Sequence, residues 1–101
     1  MAANNSIPAY GTLQASLSVM FANDNSSSVQ INLIKLTNNS SAQRTLSIFL
    51  NADGVRTPIL PENFKLNSGH MASDELTLML RKDQWIEGFC DTELAVSYVI
   101  S

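Results

Sequence analysis

From Leu13 to Ile100 the chain runs in short stretches whose apolar residues fall at every second position, the spacing that lines one face of a β-strand. Leu13, Ala15, Leu17, Val19 and Phe21 alternate with Gln14, Ser16 and Ser18, which predicts one strand over 13–21. Val29, Ile31 and Leu33 begin a second strand whose apolar parity then shifts to Ile34 and Leu36. A shift of that kind implies a bulge or burial on both faces. Leu46, Ile48 and Leu50 alternate again until Asp53-Gly54 ends the run, a dipeptide suited to a tight hairpin turn. Val55 to Leu60 follows with Pro58 inside it, and a residue without an amide hydrogen belongs on a sheet edge. Further short strands are predicted at Phe64 and Leu66, at Leu76 to Leu80, around Trp85 to Cys90, and through Leu94, Val96, Tyr98 and Ile100. Turn-forming clusters such as Ala22–Ser28, Thr37–Gln43 and Asn67–His70 separate them. Seven or eight short strands at this spacing describe an all-β fold, an antiparallel β-sandwich or jelly roll.

One segment competes for helix. Ser73-Asp74-Glu75 could cap a helix carrying Leu76, Met79 and Leu80 on one side. Leu78 would then point the opposite way, whereas a strand gathers Leu76, Leu78 and Leu80 on one face, so the strand is expected.

Composition narrows the chemistry. A chain of 101 residues fits one domain and can bury roughly 60–65% of its unfolded surface, enough for a core without staples. Six Lys and Arg against nine Asp and Glu give a net charge of −3, with no basic cluster beyond Arg81-Lys82. The electrostatic footprint of a nucleic-acid binder is therefore missing. No apolar run approaches the ~18 residues of a membrane span, and the opening residues carry no secretory pattern. The chain is expected to be soluble, without a membrane partner, and to stay in the cell that makes it unless it leaves in a particle. The Asn-x-Ser matches, as in Asn38–Ser41, then read as turn chemistry.

Catalytic residues are not indicated. The single histidine, His70, sits in a polar turn, and no Gly-x-Ser-x-Gly elbow accompanies the many serines. One His and one Cys cannot make a zinc tetrad, and no calcium loop or glycine-rich phosphate loop is present, so no metal or cofactor is expected. Asp74 and Glu75 are adjacent and would face opposite ways on a strand, while Asp91 and Glu93 would share a face but have no His or third acid nearby. A dyad of Glu87 with another acid depends on fold geometry that spacing does not reveal. Cys90 reads as a small buried side chain. Trp85, Phe89 and Tyr98 admit two readings: core packing, which is the expectation for the one tryptophan of a small chain, or a sugar-stacking platform that would expose Trp85 and Tyr98.

The segment 1–11 reads as a polar N-terminal arm ahead of a single sandwich domain, 12–101. Ile7 and Tyr10 flank Pro8 within it. Pro8 restricts its own backbone and biases Ile7 toward an extended form. Ile7 and Tyr10 are therefore the candidate partner-binding residues. The arm either docks on a neighbouring subunit or packs along its own sandwich edge; both remain open.

The order of pieces from Val29 onward, "VQINLIKLTNNSSAQRTLSIFLNADG", "ILPENFKLNSGH" and "LTLMLRKDQWIEGFCDTELAVSYVIS", resembles small β-sandwich virion proteins of tailed bacteriophages. That resemblance implies a non-enzymatic structural protein of the particle, first a capsid decoration (cement) protein, otherwise a neck, collar, tail or fibre accessory. It further implies other virion proteins as partners, assembly as a homo-oligomer such as a trimer, and synthesis in the cytoplasm of the bacterial host. In that pattern "RKDQ", 81–84, is a hairpin turn whose charges stay in water. This chain departs from it by carrying Lys82-Asp83 where a glycine is usual.

Overall fold

The computed structural model describes residues 9–24 and 26–101. Its strands are β1 (Ala9–Thr12), β2 (Ser18–Asn23), β3 (Val29–Asn38), β4 (Arg44–Ala52), β5 (Val55–Pro58), β6 (Phe64–Leu66), β7 (Met71–Leu80), β8 (Gln84–Cys90) and β9 (Val96–Ile100). One sheet has the order β1-β9-β3-β7, the other β2-β8-β4-β5, with β6 continuing beside β4. Every pairing is antiparallel. Consecutive strands alternate between the two sheets everywhere except along β4-β5-β6, and the result is a jelly roll.

The within-sheet turn is the one the sequence marks most clearly. Asp53 and Gly54 join Ala52 to its partner Val55 and both hold positive φ, 55° and 80°. That is the two-residue turn whose twist suits antiparallel strands. β5 lies at the sheet edge with Pro58 opposite Phe49, as a proline-bearing strand should.

Inward residues from both sheets meet in one core. Ile31, Ile34, Leu36, Val96 and Ile100 from the first sheet pack with Leu46, Ile48, Ile86 and Cys90 from the second. Each fully buried aliphatic side chain contributes about 1.5–3 kcal/mol. The parity shift of β3 is real: burial passes from Val29 and Ile31 to Ile34 and Leu36, and the pairing with β7 shifts between Ile31 and Leu33. At that point the amides of Asn32 and Leu33 both donate to the carbonyl of Ser101, so two residues share one acceptor. Ser73–Leu80 is strand throughout, and Asp74 and Glu75 face opposite sides.

Three expectations change. The strand expected over 13–21 begins only at Ser18, as β2 of the second sheet. After Thr12 the chain crosses over: Leu13 donates to Val96 and accepts from Leu94, and the carbonyl of Gln14 accepts from Cys90. Within β2 the register against β8 then slips between Val19 and Phe21, which turns Met20 into the core and leaves Val19 exposed. Leu94 is likewise exposed, in the turn before β9 with φ 65°. The "RKDQ" turn is not a hairpin, because β7 and β8 belong to different sheets. It is a corner whose left-handed position, φ 64°, is taken by Asp83, while Arg81, Lys82 and Asp83 stay exposed. Ala9–Gly11, within the segment read as an arm, pair with β9 residues Ile100, Val99 and Tyr98. The rest of that segment, Ile7 included, lies outside the described residues.

Two buried asparagines fasten the sheets together. Asn23 on β2 donates its side-chain amide to the carbonyls of Ser27 and Leu80, reaching from the second sheet to β7 of the first. Asn38 on β3 donates to Ala42 and Leu66, reaching from the first sheet to β6 of the second, and its Oδ1 accepts from the amide and hydroxyl of Ser40. Buried carbonyls left by the strand ends are satisfied in this way.

Candidate functional site

Tyr10 stands on β1, the outer strand of its sheet, and is 82% exposed. Pairing sets its neighbours: Tyr10 lies opposite Val99, Val99 opposite Lys35, and Lys35 opposite Ser73. Val99 is 41% exposed. The two side chains therefore form an adjoining apolar pair on the solvent face of the sheet, beside the open peptide edge of β1. An exposed aromatic on a strand whose outer side pairs with no strand among the described residues suits a partner that adds a strand or lays an apolar residue there. Alternation through Val96, Tyr98 and Ile100 implied that Val99 points outward. What it could not show is that the two ends of the chain are neighbours.

Trp85 is not in the core. Inward positions of β8 are Gln84, Ile86, Gly88 and Cys90, with Gly88 closely packed against Ile48, and the bulky residues Trp85 and Phe89 take the outer face. Pairing puts Trp85, Asn51 and Arg56 in one row and Glu87, Phe49 and Pro58 in the next. Glu87 is 5% exposed on this face. Its Oε1 accepts from Trp85 Nε1 at 2.9 Å, and its Oε2 accepts from Arg56 Nε at 2.7 Å and Asn51 Nδ2 at 3.3 Å. Arg56 also covers the Phe49 ring, with its guanidinium 5.6 Å from the centroid, and Phe49 stacks on Phe89. Tyr98 belongs to the other sheet and turns inward, donating its hydroxyl to the carbonyl of Met20. Trp85 and Tyr98 consequently do not share a platform.

Burial by itself pushes the Glu87 carboxyl up, but the hydrogen bonds from Arg56, Trp85 and Asn51, with the charge of Arg56, outweigh it and hold the group below its ordinary value. A carboxyl depressed in the folded state stabilises the fold above its unfolded pKa, about 4.3, and that stabilisation is lost as pH falls through the folded value. Glu87→Gln should therefore be less stable than the parent near neutral pH, by about 1–2 kcal/mol. The gap should close as pH falls below about 4.3 and on through the lowered folded value. Urea midpoints measured at neutral and at strongly acidic pH check this; a gap independent of pH would count against the ion pair with Arg56.

The remaining candidates separate in space. His70 is exposed in its turn, its amide donating to Asn67 and its carbonyl accepting from Asn38. Asp91 and Glu93 are exposed beyond β8. Cys90 is fully buried, and burial pushes its thiol up, away from the reactive thiolate. Among the described residues no three His, Cys, Asp or Glu side chains gather as a metal site, and no helix is long and apolar enough to cross a membrane. The chain matches no family model, no curated protein and no solved structure.

Proposed function

We propose that this protein is a non-enzymatic structural component of a bacteriophage particle, a capsid decoration protein in the first place and a neck or tail accessory in the second. The observation that supports this reading is the exposed Tyr10 on β1, an edge strand of the jelly roll. Such a domain acts by adhesion: it docks on the assembled shell and stabilises neighbouring subunits by binding only their assembled form. Tyr10 is the anchor, and its position on a paired strand lowers the entropy lost on docking.

Counting this chain in particles purified from infected cells tests the assignment. Hundreds of copies indicate the shell and a dozen or fewer the neck or tail; absence from the particle overturns it. The anchor is tested by Tyr10→Ala. Because the side chain is exposed, the free domain should melt as before, while affinity for particles falls about thirtyfold, the effect of losing some 2 kcal/mol at a hot spot. A lowered melting temperature with normal binding per folded molecule would show that Tyr10 serves the sandwich edge instead.

A further inference from the structure

Between the open edges of the two sheets lies a cleft of about 290 Å³. Its floor is Ile34 and Leu36, its far wall Ile59, Leu60 and Phe64 from the segment joining β5 to β6, and its near wall β7. The cleft stays open for a reason visible in the sequence. At the inward positions of β7 opposite Leu36 and Ile34 stand Ala72 and Asp74, not large aliphatic residues. Asp74 thus continues the row of Ile34 and Ile100, both 1% exposed or less. Yet this carboxylate makes no hydrogen bond or ion pair with any described residue. An inward-facing acid without a counterion, set beside apolar walls, offers a cation a hydrogen-bond acceptor that no other group among the described residues occupies.

We infer that this cleft binds a small organic cation, an aromatic or branched apolar group carrying one ammonium, with the ammonium on Asp74 and the apolar part against Leu36, Leu60 and Phe64. Size fits the class. A dry cavity of ~150 Å³ accepts benzene, so roughly twice that volume holds one ring with a short chain. Charge complementarity selects a cation over a neutral molecule of equal size. The competing account is that an inward-facing acid merely guards β7, an edge strand, against pairing with other chains.

Titration of the full chain with phenethylammonium, followed by amide NMR shifts, separates the two. Binding should be saturable at concentrations on the order of millimolar, as expected for a ligand of this size, with the largest shifts at Leu60, Ala72 and Asp74. The neutral isostere 2-phenylethanol should bind at least tenfold more weakly, and Asp74→Asn should remove that preference. Ala72→Leu, which fills the cleft without touching the charge, should abolish binding of both. The inference is overturned if the amides do not shift, if the alcohol binds as well as the amine, or if Asp74→Asn binds the amine undiminished. An Asp74→Asn variant that only aggregates more readily supports the edge-guard account.

Discussion

Asn38→Ala should lower the unfolding free energy by about 3–5 kcal/mol, because it strips hydrogen bonds from the carbonyls of Ala42 and Leu66 and from the amide of Ser40 at once. Leu66 is in the core, so its carbonyl has no easy substitute for the lost donor. For a domain of this size the corresponding drop in melting temperature exceeds about 10 °C. Asn38→Asp refines the argument. It keeps the acceptor for Ser40 but points a carboxylate at two carbonyl oxygens. At neutral pH it should be at least as destabilised as the alanine variant. Its carboxyl is then held above the ordinary value in the folded state, so the deficit shrinks as pH falls far enough to protonate it. Urea unfolding followed by Trp85 fluorescence, at neutral and acidic pH, measures both. A loss under about 1 kcal/mol for Asn38→Ala would mean that the clasp between the sheets is not an important constraint.

Gly88→Ala should cost about 3 kcal/mol despite adding a single methyl group. Gly88 faces inward at the middle of β8, opposite Ile48, and a Cβ there would lie 2.7 Å from the Ser47 carbonyl, 2.7 Å from Ile48 Cδ1 and 3.0 Å from Met20 Sδ. The two side-chain ends can move aside. The carbonyl cannot, since it belongs to β4, the strand that holds β8, β5 and β6 together. Trimming Ile48 to Val should therefore recover part of the loss in the double variant and leave the rest. Full recovery would assign the clash to the side chain, and no loss in Gly88→Ala would show that the sheets separate more readily than their packing implies. The two effects should be non-additive, as expected of residues in contact.

Much of this architecture was legible as period-two alternation. The runs at Leu46–Leu50 and Val96–Ile100 face the core as their pattern predicts, the parity shift in β3 marks a real irregularity, and Asp53-Gly54 makes the expected turn. Leu13–Phe21 alternates equally well and misleads. A chain that crosses from one sheet to the other and then bulges changes parity twice, and the apolar residues on either side of the crossing happen to stay in step. Trp85 misleads differently. Size favours the core, but the register of β8 turns Gln84, Ile86, Gly88 and Cys90 inward, so the indole goes outside, where Glu87 accepts its N–H.

The candidate site divides along the same line. Tyr10 was recognisable as exposed from its polar surroundings, because exposure follows from local composition. Its neighbour Val99 lies across a ladder that joins opposite ends of the chain, and Glu87 finds Arg56 31 positions away. By itself, then, the sequence determined the fold class, the strand runs whose backbone stays straight, and the turns where Asp and Gly accept positive φ, since each depends on a residue and its immediate neighbours. Only the tertiary structure decided which edge Tyr10 occupies, why Glu87 is ionised under Trp85, and that Asp74 faces a cleft without a counterion. Those depend on strand order and register, which arise from the packing of the two sheets as a whole.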